Sequence, residues 1–195
     1  RPIIEALAAD HRVLAVDLRG HGESPKGDAY DPISYATDVA ETAAAEGFDR
    51  AIVVGHSLGG VVATACALVM PLVAVVNVDQ PLLLSGFKDG LSQLEPMLKG
   101  TPAEFLAARD MMFGAMDGPL PAAERSRFMA HAHPEQDVVL GTWATVFEST
   151  AAELDETVGQ LAGGVTVPYL SLHGIDPGPE YAAWLTGLVP TAIVE

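Results

Sequence analysis

The sequence is short of cysteine, of basic residues and of long apolar runs, and each shortage narrows what the chain can be. Of 195 residues a single one, Cys66, is a cysteine. No disulfide can form within the chain, which fits a reducing compartment and a cytoplasmic location. Cys66 itself reads as a small buried apolar residue. Only 10 Lys and Arg stand against 26 Asp and Glu, for a formal net charge of −16. The basic residues form no cluster, so nucleic acid and anionic membrane surfaces are poor partners, and the acidity reads as a solubility feature. The longest apolar stretch, 61–78, is interrupted by Pro71 and reads as a helix followed by a strand, with no membrane span. The glycines between 17 and 24 lack dinucleotide-loop spacing, and no Lys-Ser/Thr pair follows them. Neither a nucleotide nor a nicotinamide cofactor is therefore expected. The expected partner is a small-molecule substrate.

The composition, 49% hydrophobic and 18% charged, is that of a globular chain long enough for one domain with a sizeable core. Its most informative motif is Gly55-His56-Ser57-Leu58-Gly59. An apolar run, Ala51-Ile52-Val53-Val54, precedes it and a helix-compatible stretch, 60–70, follows. G-x-S-x-G between a strand and a helix is the setting of a nucleophile elbow, in which a strained turn lifts the serine hydroxyl into a cleft. Glycine is expected at both 55 and 59, two positions either side of the serine, because the turn forces a close approach there.

Residues 2–9 read as a helix and 12–17 as a buried strand. A glycine-rich loop follows to Tyr30. Asp31-Pro32 resembles an N-cap with proline at the first helical position, opening a helix that Gly47 ends. Strand 51–54, helix 61–70 and strand 72–79 complete a β–α–β–α–β pattern. Continuously apolar strands alternating with helices predict an α/β domain with a mostly parallel sheet covered on both faces. From 81 to 164 no strand is evident. Segments 102–116, 122–132 and 136–150 have helical spacing, so 81–164 reads as a helical insertion into a core formed by 1–80 and 165–195. A strand, 165–172, a loop, a helix, 180–188, and the start of a last strand close the chain.

Two further segments bear on the site. Asp17-Leu18-Arg19-Gly20-His21-Gly22-Glu23-Ser24 fits D-x-R-G-x-G-x-S, and Val167-Pro168-Tyr169-Leu170-Ser171-Leu172-His173-Gly174-Ile175-Asp176 is a strand leading to an acid-bearing loop. With the elbow between them, this order resembles the α/β-hydrolase family over essentially the whole chain, the insertion falling where such enzymes carry a helical cap. The resemblance implies Ser57 as catalytic nucleophile and the backbone N–H of Leu58 as one oxyanion donor. It implies Asp176 as catalytic acid, with Asp79 the alternative, because some members place the acid after the preceding core strand. A serine at the elbow sets the chain apart from the aspartate-nucleophile branch of the family, which includes haloalkane dehalogenases and epoxide hydrolases.

The family order is nucleophile, acid, histidine, and no histidine follows Asp176. The six histidines fill other positions. His21 and His56 flank the glycine loop and the nucleophile, His173 closes the late strand, His11 lies in a turn, and His131 and His133 fall in the insertion. A metal on the last pair lacks a carboxylate or cysteine partner, so none is expected. Asp17 and Arg19 read as braces of the glycine loop. Met97, Phe105, Met111, Met112 and Phe113 read either as a pocket wall or as ordinary core. Both ends of the sequence read as cut, with the base and the second oxyanion donor expected outside it and little activity expected of these 195 residues alone. The expected activity of the whole is hydrolysis of a small ester or related acyl compound through an acyl-enzyme. A lyase, acyltransferase, cofactor-free haloperoxidase or C–C hydrolase on the same fold, and a non-catalytic binding protein, are the alternatives.

Overall fold

A computed structural model of the chain describes residues 2–116, 121–131 and 133–195. They form two compact units. The first comprises Arg1–Asp28, Pro32–Leu82 and Gly159–Glu195, the second Ala29–Asp31 and Leu83–Val158.

The first unit is built on four parallel strands in the order β1 (Ala51–His56), β2 (Leu72–Val78), β3 (Tyr169–Leu172) and β4 (Ala192–Val194). Helix α1 (Pro2–Leu7) opens the chain, and α2 (Pro32–Ala45) stops where Gly47 turns to φ 72 and the Phe48 N–H reaches back to the Ala43 carbonyl. Helix α3 (Leu58–Val69) packs on β1, β2 and α2, and its Gly60–Cys66 stretch is entirely buried. Helix α10 (Pro179–Leu188) carries proline in its first turn and packs against β4.

Because side chains alternate across a strand, the register sorts the sheet into two faces. Val53, Val75, Asn77, Tyr169 and Ser171 share one, which α3 and α10 reach through Thr64 and Tyr181. The opposite face carries Ile52, Val54 and Ile193, each more than half exposed. Both of these helices approach from the same side, in keeping with the expected parallel sheet flanked by helices. The buried strand expected over 12–17 is corrected: among the described residues these positions stand in no ladder, and Val13 is exposed. The segment is tied at its ends instead: the Arg12 guanidinium donates to the Glu46 and Gly47 carbonyls and lies over the Phe48 ring. Strand β3 starts four residues later than the apolar run suggests. Pro168 has no N–H to give a ladder, although its carbonyl accepts from Val75.

The second unit contains α4 (Ser85–Leu98), α5 (Pro102–Met116), α6 (Ala122–His131), α7 (Gln136–Thr142), α8 (Ala144–Glu148) and most of α9 (Ala151–Gly163). The predicted helix over 136–150 is in fact two, broken at Trp143, which leaves helical geometry at φ −97, ψ 7. Its interior is an apolar cluster of Leu91, Leu98, Phe105, Ala108, Val146 and Leu154. Met97 and Met112 pack against that cluster, whereas Met111 is more than half exposed, so core packing accounts for Met97, Phe105 and Met112. Two Thr-x-x-Glu capping boxes open α5 and α9: Glu104 accepts from Thr101 and Glu153 from Thr150, through backbone N–H and hydroxyl alike. Among the described residues no helix is long and apolar enough to cross a membrane.

Candidate active site

The ends of β1, β2 and β3 bring the candidate residues together. Ser57 follows β1 directly, with φ 53 and ψ −125, and its side chain is exposed. A β-carbon on Gly55 would overlap the Gly59 carbonyl, and one on Gly60 would overlap the Asn77 amide. The glycine requirement therefore falls on Gly55 and Gly60. Gly59 has open space where its β-carbon would point, which corrects the expectation that it is needed for close approach. Leu58 is the first residue of α3, so its N–H is among the four that a helix leaves without an internal acceptor. The partial positive charge of the helix start lies at the same place.

Asp79 follows β2 as Ser57 follows β1. Its N–H donates to the Leu172 carbonyl at 2.6 Å, and its Oδ1 accepts the Gly174 N–H at 3.1 Å. Asp176 lies in the exposed loop after β3, where its Oδ1 accepts the N–H of Gly178, two residues on, at 2.8 Å. His173 is half-buried at the end of β3. Its Nε2 bonds the Ser171 hydroxyl at 2.8 Å and its ring meets Tyr181 edge-on at 5.3 Å. Burial holds its pKa below the ordinary 6.5, against the opposing pull of Asp79 and Asp176.

Beneath these turns lies a buried hydrogen-bond chain whose direction is fixed by the donors available. The Thr64 hydroxyl gives its one proton to the Gly60 carbonyl at 2.8 Å. The Tyr169 hydroxyl must then donate to Thr64, at 2.8 Å, and it accepts from the Asn77 amide at 3.1 Å. The second Asn77 N–H goes to the Gln80 carbonyl at 2.8 Å, while Asn77 Oδ1 is buried against Gly60 with no partner among the described residues. Burial outweighs these bonds and pushes the Tyr169 phenol up to about 12, so it stays protonated at neutral pH. Nothing in the sequence motifs marked this chain. A lone Asn inside an apolar strand and a Tyr facing it were the available signals.

The remaining sequence candidates fall as follows. Asp17 accepts the Glu23 N–H, its carbonyl accepts from Ser24, and Arg19 pairs with Asp38 and donates to the Ser34 carbonyl. Both therefore brace the loop, in which Gly20 and Gly22 take φ 73 and 54. His21 Nδ1 bonds the Arg19 carbonyl, and His11, His56 and His133 are exposed. The His131 side chain, like Ala132, lies outside the described residues. The Cys66 thiol is buried and pushed up to about 11, which leaves it an inert core group.

A parallel sheet with a serine held in left-handed backbone between strand and helix defines the class of α/β hydrolases. The alpha/beta hydrolase family model matches residues 1–194, and the chain belongs to that family. Over 54 residues it is 39% identical to the esterase YbfF of Escherichia coli (strain K12), a match covering 28% of this chain and 21% of that protein. Over 64 residues it is 45% identical to a soluble epoxide hydrolase of Corynebacterium sp. (strain C12), covering 32% and 22% respectively. These matches thus span about a fifth of the length of either curated relative. A solved hydrolase from Pseudomonas aeruginosa PA01 superposes on 100% of this chain and 74% of its own, with a TM-score of 0.71 at 22% identity, a likeness of fold.

Proposed function

We propose that the protein is a serine hydrolase that cleaves a small ester or related acyl compound through an acyl-enzyme. The observation that supports this reading is Ser57 itself, exposed and held at φ 53 where β1 gives way to α3. In the proposed reaction the Ser57 Oγ attacks the carbonyl carbon while a histidine base takes its proton. The developing oxyanion is stabilised by the Leu58 N–H at the helix start. The tetrahedral species expels the alcohol, which receives the proton from the base, and water then attacks the acyl-Ser57 ester. A carboxylate at the end of β2 or β3, Asp79 or Asp176, orients the base.

The same residue bears on the likeness to an epoxide hydrolase. Opening an epoxide through a covalent intermediate needs a carboxylate nucleophile, because the resulting alkyl ester can be hydrolysed at its carbonyl. A serine would leave an ether that water does not cleave. Ser57 therefore favours acyl chemistry.

The test is labelling of the full-length protein by a fluorophosphonate, with peptide mapping, and turnover of short nitrophenyl esters. Labelling at Ser57, lost in Ser57→Ala together with esterase activity, is the expected result. A wild-type protein that neither labels nor hydrolyses overturns the reading.

A further inference from the structure

We propose, resting on the serine-hydrolase reading, that Asn77 is a positioning residue of the site. From beneath the edge of the sheet its buried amide holds the first turn of α3, and with it Ser57 and the Leu58 N–H, in the geometry that receives the oxyanion.

The elbow needs a hold of this kind. Ser57 keeps φ 53 and ψ −125, backbone that a serine retains only where surrounding structure enforces it. A helix start is ordinarily fixed by the side chain of the N-cap residue, yet the Ser57 hydroxyl makes no such bond to α3. The turn is fixed instead by its own backbone and by what lies against it. The Ser57 N–H donates to the Val78 carbonyl at 3.1 Å, and the Gly60 N–H to the Ser57 carbonyl at 2.7 Å.

Asn77 meets the same turn from β2. It stands opposite Gly55 in the strand register, so its side chain rises on the face where Gly55 has none. It is fully buried, and its Oδ1 fills the space that a β-carbon on Gly60 would need. One amide N–H reaches the Tyr169 hydroxyl, which leads through Thr64 to the Gly60 carbonyl. The other closes on the Gln80 carbonyl and anchors the amide to the turn after β2. Gly60 is thus held at its N–H by Ser57, at its α-carbon by Asn77 and at its carbonyl by Thr64. The Leu58 N–H is two residues from that point.

The Asn77 oxygen separates this role from a contribution to stability. Among the described residues Oδ1 accepts no hydrogen bond, and a buried acceptor left unmatched lowers stability. An apolar side chain would avoid that cost. It would supply neither the two directed N–H bonds nor a negative dipole end facing the start of α3, where the helix is partially positive. The amide therefore holds the helix start against β2 by direction as well as by volume. An oxyanion donor needs such a hold, because a small displacement from the reacting atom costs rate steeply.

Asn77→Ala, Thr64→Val and Leu185→Ala in the full-length protein test the proposal, each measured well below its Tm. The readouts are turnover of a short nitrophenyl ester and inhibition by butylboronic acid, whose adduct with a serine oxygen places an anionic oxygen where that of the ester would form. Asn77→Ala should lower kcat about 10–10²-fold with KM changed by less than about threefold, and should weaken boronic acid binding by the same factor as kcat/KM. Thr64→Val removes one hydroxyl at nearly constant shape and should lower kcat about 3–10-fold in the same manner. The double variant should lose less than the product of the two single losses, because both side chains act on Gly60. Leu185→Ala truncates a fully buried apolar side chain of the same unit; it should lose stability and keep kcat and boronic acid affinity within about threefold of wild type. If Asn77→Ala keeps the wild-type rate and affinity, the assignment is overturned; should that variant fail to fold, the same result with Thr64→Val overturns it. Losses that multiply in the double variant also overturn it, as does a Leu185→Ala enzyme that loses rate and boronic acid affinity together, since any loosening of the interior would then suffice. In each case fluorophosphonate labelling of wild-type Ser57 leaves the hydrolase reading standing. A wild-type protein that is not labelled overturns both.

Discussion

In the helical unit the buried interior is Leu91, Leu98, Phe105, Ala108, Val146 and Leu154, with capping boxes at its margins. In the sheet unit Val75, Leu185 and Val189 share the interior with Thr64, Asn77 and Ser171, which are the buried polar residues among those described. The two described non-glycine residues with positive φ lie there too, Asp79 two residues past Asn77 and Ser57 bonded through its N–H to the Val78 carbonyl. The helical unit is thus organised by apolar burial, which is non-directional and tolerates exchange of one hydrophobe for another of similar volume. The sheet unit is organised at its carboxyl edge by directional bonds that tolerate little. That edge is where parallel α/β sheets present their chemistry.

Truncation in the helical unit should have the largest effect on stability. Leu98 is almost fully buried. Leu98→Ala removes its methyl groups and leaves a cavity, for an expected loss of about 2–5 kcal/mol in chemical denaturation. Leu98→Met conserves volume and should cost less than about 1.5 kcal/mol. If Leu98→Met costs as much as Leu98→Ala, the helical unit depends on shape as strictly as the sheet unit, and the contrast fails.

Much of the sheet unit was legible in the sequence because its signals are local. The apolar run before Gly55, the proline opening α2 and the glycine after it each mark a single event of backbone geometry. Residues 12–17 misled because an apolar run reports burial tendency and says nothing about whether a partner ladder exists. Which side of the sheet α3 and α10 cover was not legible for the same reason, being a property of tertiary packing. At the site, Ser57 was legible from its motif. The Asn77–Tyr169–Thr64 chain was not, because its members are 13 and 92 residues from Asn77 along the sequence and meet only through strand register and the lie of α3. The capping boxes were readable from Thr-x-x-Glu spacing at 101–104 and 150–153, a signal that helical periodicity alone passes over.

A smaller perturbation probes the directional side of the contrast. Tyr169→Phe removes one oxygen and almost no volume, yet it leaves an Asn77 N–H buried without an acceptor. An unsatisfied buried donor costs about 1–3 kcal/mol, so the denaturation midpoint should fall measurably for a change that the helical unit would absorb. If Tyr169→Phe is neutral, the chain beneath the elbow contributes no net stability and the sheet unit's polar interior is permissive.

The smallest effects separate the two units by pH. In the sheet unit His173, facing Asp79, Asp176 and Tyr181, has a pKa lowered from 6.5 by burial. Below 6.5 the unfolded chain takes up its proton first, so this contribution is present above 6.5 and is lost as pH falls through the lowered folded value. In the helical unit Glu104 and Glu153 have pKa values lowered from 4.5 by their bonds to Thr101 and Thr150. Their contribution is present above 4.5 and is lost as pH falls through the folded values. Denaturation of wild type, His173→Gln and Glu153→Gln across the acid range should therefore show two windows. The deficit of Glu153→Gln relative to wild type should be constant down to 4.5 and vanish below it. His173→Gln should lack the decline that wild type begins at 6.5. A Glu153→Gln deficit that persists unchanged in acid would mean that the box acts through the neutral hydrogen bond, which glutamine keeps poorly, and that the charge contributes nothing to the helix start.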